Sequence, residues 1–330
     1  MKKVNLAIVG ATGMVGRTFL KILEERNFPI NQLYLFASAK SKGKKVEFRG
    51  KEYTVEELTE ESFKKDIDIA LFSAGGSVSK KFAPIAKEND VIVVDNSSAW
   101  RMEKDIPLVV PEVNPQDINW HNGIIANPNC STIQCVVPLK PLHDTFKIKR
   151  IVYSTYQAVS GSGMAGMKDL ENGLKGMDSE NYPHPIAFNC LPHIDVFMEN
   201  GYTKEEMKMI EETKKILNDY ELKITATTVR VPVKYGHSVS VNIEFEKPFE
   251  LEEVYKVLEN AEGVVVEDDV NSNLYPLQIN AEGTDEVYVG RIRRDFSIEN
   301  GINMWVVADN IRKGAATNTV QIAELLLKKM

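Results

Sequence analysis

The segment that most limits this chain's fold lies near its start. Residues Val4–Val9 read VNLAIV, a nearly continuous apolar run, as expected of a strand buried on both faces. The run ends in Gly10-Ala11-Thr12-Gly13-Met14-Val15-Gly16, and a helical pattern follows to about Asn27. A buried strand that feeds a helix through so short a turn suits a parallel sheet with crossover helices. Further strand-like runs at 33–37, 67–72 and 91–94, with a helical stretch at 78–88, keep the same rhythm. Together they predict an α/β domain with a doubly wound parallel sheet.

The rhythm changes after about residue 145. Segments 149–158 and 225–233 read as long strands, and 238–246 alternates strictly. Val239, Val241, Ile243 and Phe245 fall on one face of that segment, with Ser238, Ser240, Asn242 and Glu244 on the other. That is the pattern of a sheet buried on one side, so a second, α+β domain is expected, with its open face a candidate oligomer interface. The helical segment 311–329 offers Ile311, Ala315, Val320, Ile322, Ala323 and Leu326 for burial and is expected to dock on the first domain. The expected division is 1–127 with 311–330 against 128–310. No apolar run approaches the ~20 residues of a membrane span, and the start shows no signal-peptide pattern.

Gly10, Gly13 and Gly16 follow a strand and open a helix. Such glycines let backbone N–H groups, including those of Thr12, Met14 and Val15, approach a pyrophosphate at the helix N-terminus. The spacing departs from the usual GxGxxG, and a tight turn without a ligand is the alternative. An NAD-binding protein usually carries an acid at the end of the second strand. Here that strand runs into Ala37-Ser38-Ala39-Lys40-Ser41-Lys42-Gly43-Lys44-Lys45, with hydroxyls and ammonium groups and no carboxylate. Ser38, Lys40 and Ser41 suit a 2′-phosphate, so NADP is the expected cofactor; a solvated basic loop is the alternative. With 40 basic and 47 acidic residues the net charge is −7, which argues against nucleic acid as a partner but not against a small anion.

Three cysteines, Cys130, Cys135 and Cys190, are too few and odd in number for a disulfide framework, which fits a reducing cytoplasm. The five histidines show no metal-ligand spacing, so no metal is expected. Cys130, in Asn127-Pro128-Asn129-Cys130-Ser131-Thr132, stands at the start of a helical stretch reaching about His143. A helix N-terminus favours the thiolate. Cys135 and Cys190 are expected to be buried small hydrophobes. His237 is the best partner for Cys130. It lies seven residues after Arg230, so the intervening loop must turn if both are to reach one pocket; taken singly they would be a loop histidine and a surface arginine.

These motifs, taken together and in order, resemble the aspartate-semialdehyde dehydrogenases of the bacterial NADP-dependent type. The resemblance rests on GATGMVG at 10–16, SSAWRM at 97–102, PEVN at 111–114, NPNCST at 127–132, TYQAVSGSG at 155–163, YTKEEMKM at 202–209 and RVPVKYGHS at 230–238. It implies a Rossmann-like domain plus an α+β catalytic and dimerisation domain of the glyceraldehyde-3-phosphate-dehydrogenase-like kind, in a cytoplasmic homodimer. It also implies Cys130 as the nucleophile that becomes a thioester, Gln157 as its positioning partner and His237 as general acid/base. Arg230 would hold the substrate α-carboxylate and Glu205 its α-amino group, with Arg101, Asn129 and Lys208 on phosphate. Ser160, Gly161 and Asn310 would lie at the cofactor. The implied reaction is NADPH-dependent conversion of L-aspartyl 4-phosphate to L-aspartate 4-semialdehyde, in the biosynthesis of lysine (through diaminopimelate), threonine, methionine and isoleucine. The arginine expected near Ala39 is missing. A sister N-acetyl-γ-glutamyl-phosphate reductase would share the Cys/His pair, but its N-acetylated substrate has no free ammonium for Glu205 to hold. A Cys–His hydrolase would not need the glycine turn, and a non-catalytic NADP-binding protein would not need Cys130, Gln157 and His237 together.

Overall fold

The computed structural model describes residues 3–329. The chain divides into two compact units, Met1–Pro128 with Ala315–Met330, and Asn129–Gly314.

The first unit is built on β1 (Val4–Val9), α1 (Met14–Glu25), β2 (Ile30–Ala37), a small hairpin of β3 (Lys45–Phe48) and β4 (Lys51–Thr54), β5 (Glu56–Glu57), β6 (Ile69–Phe72), α2 (Gly76–Glu88), β7 (Ile92–Asp95) and β8 (Ile124–Ala126). Its main sheet runs β5-β2-β1-β6-β7-β8, and every pairing in it is parallel. Strand β1 is buried along its whole length, as its apolar run requires. The chain goes from β1 to β2 on one side and later to β6 on the other, so the order of strand addition reverses between β1 and β6. In open α/β sheets ligands bind beyond the carboxyl ends of the strands at such a switch point, and Gly10–Gly16 lies there.

The second unit contains α3 (Cys130–Phe146), β9 (Ile148–Gln157), α4 (Gly163–Gly173), α5 (Lys204–Leu217), β10 (Lys223–Arg230), β11 (His237–Phe245), α6 (Leu251–Glu259), β12 (Val264–Val266), α7 (Gln278–Ala281), β13 (Val287–Asp295) and β14 (Gly301–Ala308). Its sheet runs β10-β9-β11-β14-β13-β12. The alternation in β11 holds from Val239 on: Val239, Val241, Ile243 and Phe245 are buried, and Ser240, Asn242 and Glu244 are half-exposed, whereas Ser238, expected on the open face, is buried at the strand's start. Strand β10 stops at Arg230 rather than continuing to Val233, because Pro232 has no N–H to give the ladder. The last helix, α8 (Thr317–Leu327), belongs to the first unit. It is preceded by a π-helical turn, Arg312–Ala316, which the period of the sequence does not announce. Ile311, Ala315, Val320, Ile322, Ala323 and Leu326 are all buried. Among the described residues no helix is long and apolar enough to cross a membrane.

Candidate active site

In the first unit the glycine turn has two kinds of glycine. Gly10 has φ +90°, and a Cβ there would lie 2.2 Å from the Ser73 carbonyl oxygen; a Cβ on Gly16 would lie 2.2 Å from the Gly10 carbonyl oxygen. Close backbone packing therefore explains both. Gly13 is different. Its φ is −74°, and a Cβ would meet nothing nearer than the Gly10 carbonyl oxygen at 3.4 Å. It is the N-cap of α1, where no side chain caps the helix and no acid stands in the first turn. An uncapped N-terminus edged by glycine is where a phosphate group binds, so the turn fits a dinucleotide.

The second-strand loop is tied to this turn by the Thr12 and Ser41 hydroxyls, 3.2 Å apart. Ser38 and Lys40 are exposed and Ser41 is buried. The segment 37–45 holds no carboxylate, as read, but a neighbouring strand brings one beside its start. Strand β5 pairs Glu57 with Ala37, and Glu57 lies 3.4 Å from the Lys42 ammonium. It arrives from 20 residues downstream of Ala37 through strand pairing, so a local reading misses it. Arg101 is buried, and its guanidinium donates to the Asn96 carbonyl at 3.1 Å.

In the second unit three strands end on one edge. Strand β10 runs parallel to β9 with Arg230 opposite Gln157, and β11 runs antiparallel to β9 with Ser238 opposite Tyr156. The last residues of β9 and β10 and the first of β11 are thus Gln157, Arg230 and His237. The turn between Arg230 and His237 is closed by Gly236 at φ +79°. Asn310 braces that turn: its Oδ1 accepts the Gly236 amide at 2.9 Å, and its side chain pairs with the Ser160 hydroxyl at 3.2 Å. Gly161 lies against the same group. A Cβ on it would stand 2.8 Å from Arg230 Nη1 and 3.3 Å from the His237 ring.

Cys130 opens α3 and is half-buried. Asn129 caps the helix, its Oδ1 accepting the Ser131 and Thr132 amides at 3.0 and 3.2 Å. Its Nδ2 donates to Glu205 at 2.8 Å, and its backbone amide donates to Glu212 at 2.6 Å. Both ends of the Asn129 amide are therefore occupied in holding the Cys130 turn. Glu212 is buried and is a positioning group that no sequence motif reveals. Gln157 Nε2 donates to the Ser131 hydroxyl at 2.8 Å and to Glu205 at 3.4 Å.

Glu205 and Lys208 share a face of α5, as their spacing predicts, and pair at 3.1 Å. Thr203 begins that helix with a capping box. Lys208 also reaches Asp195 at 2.7 Å. Burial alone would raise the Glu205 carboxyl, but Lys208, the Asn129 amide and Arg230 outweigh it and hold it below the ordinary value. Arg230 is buried, gives one hydrogen bond to the Ala158 carbonyl at 2.7 Å, and leaves its Nε without a partner among the described residues.

His237 is fully buried. The Ala158 amide donates to its Nδ1 at 3.0 Å, so the proton of the neutral ring sits on Nε2. Nε2 is itself buried without a partner among the described residues. Burial first, and then the Arg230 charge, push the imidazole down to about 3. Away from this site, Cys135 is buried as expected, but Cys190 is exposed. Its neighbour Leu191 forms a bridge with Arg230 and turns inward, so alternation turns Cys190 out.

A family profile described as semialdehyde dehydrogenase, NAD binding domain, matches residues 5–121. A second, semialdehyde dehydrogenase, dimerisation domain, matches 139–313. The aspartate-semialdehyde dehydrogenase of Aquifex aeolicus is 61% identical over 334 aligned residues, 98% of each chain. The crystal structure of aspartate semialdehyde dehydrogenase II from Vibrio cholerae complexed with ASA is 50% identical, covers 99% of each chain and superposes with a TM-score of 0.95. The Candida albicans aspartate semialdehyde dehydrogenase with NADP is 26% identical over 98% of each chain, with a TM-score of 0.76. Such identity over nearly the whole length identifies an enzyme: the chain belongs to the aspartate-semialdehyde dehydrogenase family.

Proposed function

We propose that this enzyme catalyses the NADPH-dependent reductive dephosphorylation of L-aspartyl 4-phosphate to L-aspartate 4-semialdehyde, in amino-acid biosynthesis leading to lysine, threonine, methionine and isoleucine. The observation that carries this reading is the gathering of Gln157, Arg230 and His237 on one sheet edge of the unit whose first helix begins with Cys130. The Cys130 thiolate attacks the acyl carbon, the carbon–oxygen bond to phosphate breaks, and a thioester remains on Sγ. NADPH, when bound, supplies the hydride that reduces the thioester carbon. The carbon–sulfur bond then breaks, the carbonyl re-forms, and the electron pair returns to sulfur as thiolate. What this sequence asks of the protein is a donor for the oxygen while it carries charge. His237 suits that task through Nε2–H, since the Ala158 amide occupies its other nitrogen. On this reading His237 acts as a donor, a narrower part than the general acid/base role the resemblance implies.

Arg230 grips the α-carboxylate and Glu205 accepts the α-ammonium, next to Gln157, which orients the acyl group. Lys208 and Arg101 serve the phosphate, and Asn129 acts through the Cys130 turn it caps. Gly10–Gly16 holds the pyrophosphate, with Ser38, Lys40 and Ser41 at the 2′-phosphate and Ser160, Gly161 and Asn310 at the nicotinamide end. NADP over NAD is supported by the hydroxyl and ammonium groups beyond β2 and by the NADP-bound relative. The dimerisation profile over 139–313 supports a homodimer, and a cysteine nucleophile suits a reducing cytoplasm. The test is reduction of NADP by aspartate semialdehyde with and without inorganic phosphate. Phosphate-dependent turnover is expected. Turnover of N-acetyl-glutamate semialdehyde alone would favour the sister reductase.

A further inference from the structure

The π turn after β14 carries a residue to which none of the roles above belongs. In it the Gly314 amide donates to the Asp309 carbonyl five residues back, at 3.0 Å. π turns are rare and occur often at functional positions. This one is pinned at several points. Asp309 Oδ1 accepts the Ile311 and Arg312 amides at 2.8 and 3.0 Å, and its Oδ2 accepts the Gly283 amide at 2.8 Å. Arg312 Nε donates to Asp285 at 2.8 Å.

The pinned turn presses Gly314 onto Cys130. A Cβ on Gly314 would stand 2.8 Å from Cys130 Cβ, 3.2 Å from its Cα and 3.4 Å from its carbonyl oxygen. Non-bonded carbons prefer roughly 3.5–4.0 Å. The atoms in the way are main chain and the first side-chain carbon, so rotating the thiol gives no relief. Gly314 is not among the glycines at positive φ, so backbone freedom does not explain it, whereas the contact does.

We propose that Gly314 is a positioning residue for the nucleophile: the π turn fixes where Cys130 Cβ sits, and hence where Sγ meets the acyl carbon. This rests on Cys130 being the nucleophile. The test is Gly314→Ala in the full chain, assayed with aspartate semialdehyde, NADP and phosphate. The expected result is a kcat lower by about 10–100-fold, with KM for NADP within about twofold of wild type and slower alkylation of Cys130 by iodoacetamide. A wild-type kcat would overturn the proposal. So would a lower kcat matched by an equal rise in KM for NADP and an unchanged alkylation rate, which marks a general structural defect. If Gly314→Ala does not fold, it is combined with Cys130→Gly, which removes the opposing Cβ. The double variant then regains a cooperative melting transition; failure to regain it overturns the contact. Cys130→Ser separates the two levels. Turnover retained there removes the nucleophile itself, whereas an inactive Cys130→Ser beside a fully active Gly314→Ala removes only the role of Gly314.

Discussion

At His237 a single backbone amide decides what the side chain can do. The ring accepts from Ala158 at Nδ1, and a protonated ring would set two N–H groups against each other there. Burial and Arg230 act in the same direction. His237→Gln, which can still donate, is predicted to keep at least about tenfold more kcat than His237→Ala. Equal loss in the two would mean that the proton itself has to move. The same burial links to stability. The unfolded chain binds a proton near pH 6.5 at this position, and the folded chain only near about 3. Stability therefore falls as pH drops through that window, and His237→Gln flattens the fall in a urea titration across it. On the proposed reading, Arg230 and Glu205 set substrate identity. Arg230→Lys loses the planar fork and is predicted to cost roughly 2–3 kcal/mol, about 30–150-fold in kcat/KM. Glu205→Gln is predicted to narrow the kcat/KM ratio of aspartate semialdehyde to succinate semialdehyde, which lacks the amine; an unchanged ratio sinks that role.

Among the elements, the start of α3 has the most to hold together. Asn129 caps the helix and braces Glu205 at once. Asn129→Ala is predicted to destabilise the chain by about 1–2 kcal/mol and to lower kcat, read by denaturant melts and steady-state rates; an intact kcat would confine it to capping. Much of this architecture is legible from the chain alone. The apolar run of β1, the glycine turn, the alternation in β11 and the Glu205–Lys208 spacing on α5 are local patterns, each set by a few neighbouring residues. The active edge is only half legible. Arg230 and His237 are seven residues apart, and the need for a turn between them can be read from the sequence. That β9 lies between their strands, bringing Gln157 alongside, depends on long-range pairing. Glu57 beside Ala37, Glu212 under Asn129, the π turn against Cys130 and the exposure of Cys190 depend on the same kind of contact. No local periodicity encodes them.

For the whole molecule, two properties follow. The open face of the second unit's sheet carries Tyr156 and Trp305, ring centroids 5.2 Å apart, beside Tyr275, Pro276 and Leu277. With the dimerisation profile covering this unit, light scattering is predicted to give twice the chain mass; a monomer at working concentration contradicts the homodimer. NADP is predicted to exceed NAD in kcat/KM by about 10–100-fold, the worth of a charge-assisted phosphate contact, and equal values would return the choice to Glu57. Both sit downstream of one claim, that the chemistry passes through a covalent bond to Cys130. The most direct measurement is mass spectrometry of the full chain mixed with aspartate semialdehyde and NADP in the absence of phosphate, followed by peptide mapping. An acyl adduct on Cys130 that disappears on adding phosphate is the predicted result, and an adduct on Cys135 or Cys190, or turnover by Cys130→Ser, would contradict it.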